Sequence, residues 1–355
     1  MKKTLLTCGV VLAAGASIAI AQQINAAGAT FPAVIYQKWF DEYHKLHADV
    51  QVNYQSIGST GGIQLLTAGT VDFGASDKPM SDAELKALKV PALHFPTVMG
   101  AVVATYNLPG ATRELRLSPA TLAGIFLGTV TKWNDKLLVA DNPGVKLPGD
   151  EIVVVHRSDG SGTTFIWTDY LSKISPEWQK KVGANGAVSW PVGLGGQGNE
   201  GVTSLVKQQP NSLGYVELAY AVKTNLPYAS IKNADGVFVK PSFDSVTAAA
   251  AGAVANMPAD FRVSITNAPG KGSYPISSFT WLLIPNHFAD AGKSTQIKAF
   301  LKWMLADGQK FATGLYYAPL PKAVVTKELE QIAKVDPGTV PAAPAKKTAA
   351  EAKKK

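Results

Sequence analysis

The chain has 355 residues, 46% hydrophobic and 17% charged, with a formal net charge of +8 and one cysteine. That length admits two domains of ordinary size, and one cysteine excludes an intramolecular disulfide and a thiolate metal cluster. The charge misleads: Lys2 and Lys3 sit in a leader and the last nineteen residues carry five Lys and one Glu, leaving the body, Gln22 to Asp336, at +2. That is no nucleic-acid footprint.

Met1-Lys2-Lys3 is a short basic start, Thr4 to Ile20 is apolar, and Ala19-Ile20-Ala21 is an A-x-A cleavage site before Gln22. This is a secretory signal peptide. An uncleaved anchor is the alternative, but the stretch is short for a span. Cys8 lies inside the leader and lacks the small residue that usually precedes a lipid-modified cysteine. The mature chain is then exported and without cysteine, so a packed core alone must hold it.

After a short start, Gln23 to Ala27, comes Gly28-Ala29-Thr30-Phe31-Pro32. Pro32 with Thr30 before it signals a helix start, and Phe31, Ile35, Trp39, Tyr43 and Leu46 follow at helical period. His44 and His47 lie three apart on that helix, a spacing open to a metal, but no third ligand is evident nearby. Val50 to Tyr54 alternates as a strand, and Gly58-Ser59-Thr60-Gly61-Gly62 opens the next helix. Val71 to Ala75 predicts a strand ending at Ser76-Asp77-Lys78-Pro79, and Ser81 to Val90 a helix. Asp77 thus stands at a strand's carboxyl end, where open α/β sheets bind ligands. Phe95 to Tyr106 predicts a buried strand running between domains, and Ala120 to Leu127 a helix ended by Gly128.

The chain is organised around Val153 to Thr164. A β-branched run, Ile152 to Val155, predicts a buried parallel strand. It turns at Arg157-Ser158-Asp159-Gly160, and Ser161-Gly162-Thr163-Thr164 opens a helix over Phe165 to Leu171. The first amides of a helix lack internal acceptors and carry the positive end of its dipole. Ser161, Gly162 and Thr163 there, with the planar cation of Arg157, make an anion seat. An ordinary N-cap with Arg157 and Asp159 as a surface pair is the plainer alternative. Three loops share the design, at Thr30-Phe31, Ser59-Thr60 and Ser161-Gly162-Thr163, and together they suit a small oxyanion.

Gly193-Leu194-Gly195-Gly196-Gln197-Gly198 satisfies G-x-G-x-x-G, and Glu217 lies about twenty residues on. The preceding Val188-Ser189-Trp190-Pro191 is not a buried strand, so a glycine loop before a helix over Glu200 to Lys207 is expected. Leu213 to Val216 and Phe279 to Ile284 predict strands, the latter the chain's return, and Ser294 to Leu305 an amphipathic helix. Pro337 to Lys355 is a Pro/Ala/Lys tail of disordered composition. An enzymatic reading makes Ser161 a nucleophile and His156 its base. The nucleophile elbow, however, needs glycine where Asp159 stands.

Several of these stretches, in order, resemble the periplasmic phosphate-binding proteins of ABC-type uptake systems, the PstS family. They are Ala26 to Pro32, Val52 to Gly62, Val71 to Asp77, Arg157 to Thr163, Gly193 to Asn199 and Tyr317 to Pro321. The resemblance implies a type II periplasmic-binding-protein fold: two α/β lobes, a ligand cleft between them and hinge strands. The expected division is 22–104 with 275–336 as lobe I and 105–274 as lobe II, after a 1–21 signal and before a 337–355 tail. It implies phosphate contacts from Thr30, Phe31, Ser59, Asp77, Arg157, Ser161, Gly162 and Thr163, with Asp159 orienting Arg157. It also implies a monomer that serves a membrane-embedded ABC phosphate permease, with no catalysis, cofactor or metal. Three departures are the Lys-rich tail, Lys78 beside Asp77, expected to raise the positive field of the cleft, and Thr60 where a second Ser is familiar. An exported phosphatase and a receptor for sulfate are the competing readings.

Overall fold

The computed structural model describes residues 22–111 and 113–335. The leader and the Lys-rich tail lie outside them. The strands are β1 (Gln22–Gly28), β2 (Val50–Ser56), β3 (Phe73–Ser76), β4 (Ala92–Asn107), β5 (Arg116–Leu117), β6 (Val153–Arg157), β7 (Leu194–Gly196), β8 (Ser212–Glu217), β9 (Ser230–Lys232), β10 (Phe238–Val239) and β11 (Ser277–Pro285). Eight of them form one sheet in the order β2-β1-β3-β11-β4-β8-β6-β7, and β10-β9-β5 form a small second sheet.

β4 joins two halves of the large sheet. Its Ala92–Ala101 stretch pairs antiparallel with β11, and Val102–Asn107 with β8. On one side β2, β1 and β3 run parallel, and on the other β8, β6 and β7 do. Helices cross over between parallel neighbours, as parallel pairing requires. β4 is buried along almost its whole length, which explains its largely apolar sequence, with His94, Thr97 and Thr105 as buried polar exceptions.

Each half has its own aromatic core. Helix Ala33–Leu46 buries Tyr36, Trp39, Phe40 and Tyr43, and Phe300 from helix Ala291–Leu305 packs on Phe40 and Tyr43. In the second half Phe126, Trp167, Trp190 and Tyr215 cluster, with Trp167 and Tyr215 stacked at 4.9 Å. Burying a side chain such as Phe40 contributes roughly 1.5–3 kcal/mol.

Several expectations shift. Gln23–Ala27 belongs to β1, an inner strand despite its polar start. The glycine run at 193–198 supplies β7, a short edge strand parallel to β6, before helix Gly198–Gln208. Between residues 105 and 274, the segment from Met257 to Arg262 packs on the first half. The Trp281 indole donates to the Phe261 carbonyl at 3.0 Å, and Arg262 Nη1 donates to the Met80 carbonyl at 2.9 Å.

Candidate functional site

The two parallel sets run in opposite directions, so their carboxyl ends face each other near the middle of β4. β1, β2 and β3 deliver Thr30-Phe31, Gly58-Ser59 and Asp77, and β6 and β7 deliver Arg157 and Gly198. Three helices, Ala33–Leu46, Ser59–Ala68 and Gly162–Ile174, start at these loops. Their opening amides have no intrahelical acceptor. Gly58 precedes the second with φ 90°, a conformation that disfavours any side chain.

All eight sequence-predicted contact residues come together and are sealed from solvent. Thr30, Phe31, Ser59, Asp77, Arg157, Ser161 and Thr163 are each at most 3% exposed, and Gly162 is buried. The two halves touch directly. A Cβ on Gly162 would lie 2.4 Å from Ser59 Oγ and 2.6 Å from Asp77 Cβ. The Thr60 amide donates to the Gly160 carbonyl at 3.1 Å. Asn199 Nδ2 bridges the halves, donating to Thr30 Oγ1 at 2.7 Å and to Thr163 Oγ1 at 3.2 Å.

Arg157 is fixed by Asp159. Its Nε donates to Oδ1 at 2.7 Å and its Nη2 to Oδ2 at 2.5 Å, a bidentate fork. Nη1 reaches Thr163 Oγ1 at 3.3 Å. Burial opposes ionisation of Asp159, but Arg157 and the Gly198 amide hold its carboxyl below the usual range. The N-terminus of helix Gly198–Gln208 is thus spent on Asp159 and, through the Asn199 amide, on Thr30.

Asp77 faces these donors. It accepts from Thr280 Oγ1 at 2.7 Å, while its own amide donates to Ser59 Oγ at 3.1 Å. Burial pushes its carboxyl up to about 7, against the opposing pull of Thr280, Arg157 and Ser59. The site therefore combines dipolar donors, one guanidinium and one carboxylate acceptor. This suits an oxyanion that carries a proton.

Lys78 departs from expectation: its ammonium pairs with Glu84 at 2.8 Å, so its charge is engaged there. Ser161 Oγ accepts from the Thr164 amide at 3.0 Å as the helix cap. His156 stacks on Trp190 at 4.8 Å and donates from Nδ1 to the Arg157 carbonyl, so it is not arranged as a base for Ser161. His44 Nδ1 donates to the Val50 carbonyl, and the His47 ring lies tilted against Tyr43. The sequence reading missed Asn199, Thr280 and Tyr215, which holds the Arg157 amide and Thr164. Only Asn199 left a signal, at the end of the glycine run.

Comparison with known proteins agrees with this architecture. Residues 14–308 match the family described as the PBP superfamily domain, and the chain is a member of that superfamily. The phosphate-binding protein PstS of Xylella fastidiosa is 46% identical over 312 residues, covering 87% of this chain and 84% of that protein. PstS of Pasteurella multocida is 47% identical over 308 residues, covering 86% and 89%. The chain belongs to the PstS family. Among solved structures, a high-affinity periplasmic phosphate-binding protein bound with phosphate superimposes with TM-score 0.68 at 21% identity, covering 86% of this chain and 93% of that one. An ABC-type phosphate transport receptor from Vibrio cholerae gives 0.56 at 19%, covering 84% and 100%. At those identities the likeness is one of fold.

Proposed function

We propose that this chain is the phosphate-binding component of an ABC-type phosphate uptake system, holding one inorganic phosphate between its two halves. The observation that carries the site assignment is the sealed pairing of Asp77 with the three helix starts and Arg157. Phosphate near neutral pH keeps a proton, which Asp77 accepts in a charge-assisted hydrogen bond. Sulfate has no proton to give, so above about pH 7, where Asp77 is ionised, the two meet as like charges in a desolvated site, a mismatch worth several kcal/mol. Thr30, Phe31, Ser59, Ser161, Gly162 and Thr163 supply hydroxyls and amides, and Arg157 supplies a guanidinium.

The halves act as lobes, 22–104 with 275–336 and 105–274, hinged where β4 passes from β11 to β8 and where residues 275–277 return. Met257 to Arg262 is a strap from the second lobe docked on the first. The protein works outside the cytoplasmic membrane after leader removal, as a monomer, and hands phosphate to a membrane permease without chemistry. Equilibrium dialysis of phosphate-stripped protein tests this. One phosphate bound per chain supports it, and release of phosphate from model esters at an enzymatic rate would overturn it.

A further inference from the structure

The charges at the sealed site do not balance. Arg157 is already paired with Asp159, and Lys78 with Glu84. Asp77 and Glu217 remain, both essentially unexposed, and on the phosphate reading a dianion joins them. Several negative charges against one guanidinium in a desolvated space is untenable unless some carry protons.

Hydrogen-bond counting points to which group does. Glu217 ends β8 in the second half. Its Oε2 accepts from the Ala219 amide at 2.9 Å and lies 3.2 Å from the hydroxyl of Tyr317, which belongs to the first half. Oε1 has no partner. The same Tyr317 hydroxyl donates to the Phe31 carbonyl at 2.7 Å. It has one proton and cannot serve both acceptors. A protonated Glu217 resolves the conflict: Oε2–H donates to Tyr317, Tyr317 donates to Phe31, and Oε2 keeps a lone pair for Ala219.

We propose that closing the halves on phosphate loads one proton from solvent onto Glu217, making it a positioning residue that fastens Tyr317 to the Phe31 loop. The inference rests on the phosphate reading. The proton returns to solvent on opening, and no bond of the anion changes. Burial drives the Glu217 carboxyl well above its usual range, and the Asp77 charge adds to this. Besides Asp77, Tyr220 faces the pair, and Tyr220 in turn faces Arg157 and, 2.9 Å from its hydroxyl, the exposed Glu200.

The test is calorimetric titration of the full-length protein with phosphate at about pH 9, in two buffers of different ionisation enthalpy. Free phosphate is dianionic there. Wild type should take up close to one proton per phosphate bound, and its infrared difference spectrum should gain a protonated-carboxyl band. Its affinity should fall by up to about tenfold per pH unit in this range. Glu217→Gln should still bind phosphate but lose the uptake, the band and the pH slope. Phosphate binding by wild type with no proton uptake, or equal uptake in Glu217→Gln, overturns this inference alone. No phosphate binding by wild type overturns the reading beneath it as well. If the variant fails to fold, the wild-type uptake and band decide.

Discussion

Closure can be probed without touching any group assigned to the anion. At Gly160 an added Cβ would lie 2.4 Å from both Cβ and Oγ1 of Thr60, across the cleft. The backbones cannot ease apart freely, because the Thr60 amide holds the Gly160 carbonyl at 3.1 Å. Gly160→Ala should therefore act as a wedge. Overpacking of this kind costs about 1–3 kcal/mol. It falls on the closed form only, so phosphate should bind about 5- to 150-fold more weakly. The melting temperature of the phosphate-free protein should barely change. Adding Thr60→Gly removes the opposing Cβ and should restore most of the affinity. Its helix-propensity cost, up to about 1 kcal/mol, weighs equally on open and closed forms. The assay is competition calorimetry on the two variants and wild type. Wild-type affinity in Gly160→Ala, or no recovery in the double variant, would refute the argument that these loops meet in the binding state.

Arg157→Ala should weaken phosphate binding by roughly 2–5 kcal/mol, the range for breaking a buried charged partner; a loss under about threefold places Arg157 outside the site. Asp77→Asn should keep much of the phosphate affinity and gain measurable sulfate binding, read by competing both anions, whereas an unchanged selectivity ratio makes Asp77 a turn residue. His94 accepts the Met80 amide at 3.0 Å, and burial, aided by Arg262, lowers its proton affinity from 6.5 to about 4. The unfolded chain then binds the extra proton, so this contribution is intact above about pH 6.5 and is lost as pH falls through 4. Melting curves of His94→Gln across that window should show a shallower acid loss than wild type, and an identical slope would contradict it. Deleting Pro337 to Lys355 should leave affinity and melting temperature nearly unchanged, because that composition buries little; a large loss of either would show that it docks.

The three anion-seat loops were legible because each is a local pattern of small hydroxyl residues at a helix start, two of them after a recognisable strand. Phe95 to Tyr106 was legible because a doubly buried strand is mostly apolar, here interrupted only by small residues such as Thr97, Gly100 and Thr105. β1 was not, since Gln22, Gln23 and Asn25 hide a strand whose burial comes from parallel neighbours distant in sequence. Helix Phe243–Ala255 escaped too, for a run of alanines carries helix propensity but little hydrophobic period. The insertion of β11 between β3 and β4 is a non-local pairing that no window of sequence contains. At the site, Thr280 is one hydroxyl in an apolar strand, and only the fold shows that it holds Asp77. Asn199 is likewise a functional residue only because helix Gly198–Gln208 starts opposite Thr30.

The central claim is that a carboxylate facing helix starts and one arginine selects an oxyanion that still bears a proton. Its most direct test is calorimetry on purified, phosphate-stripped protein above about pH 8, where Asp77 is ionised, with phosphate and then sulfate as titrants. The account predicts a saturable heat with one phosphate per chain and no competing signal from sulfate. Equal binding of both anions, or sulfate alone, would contradict it.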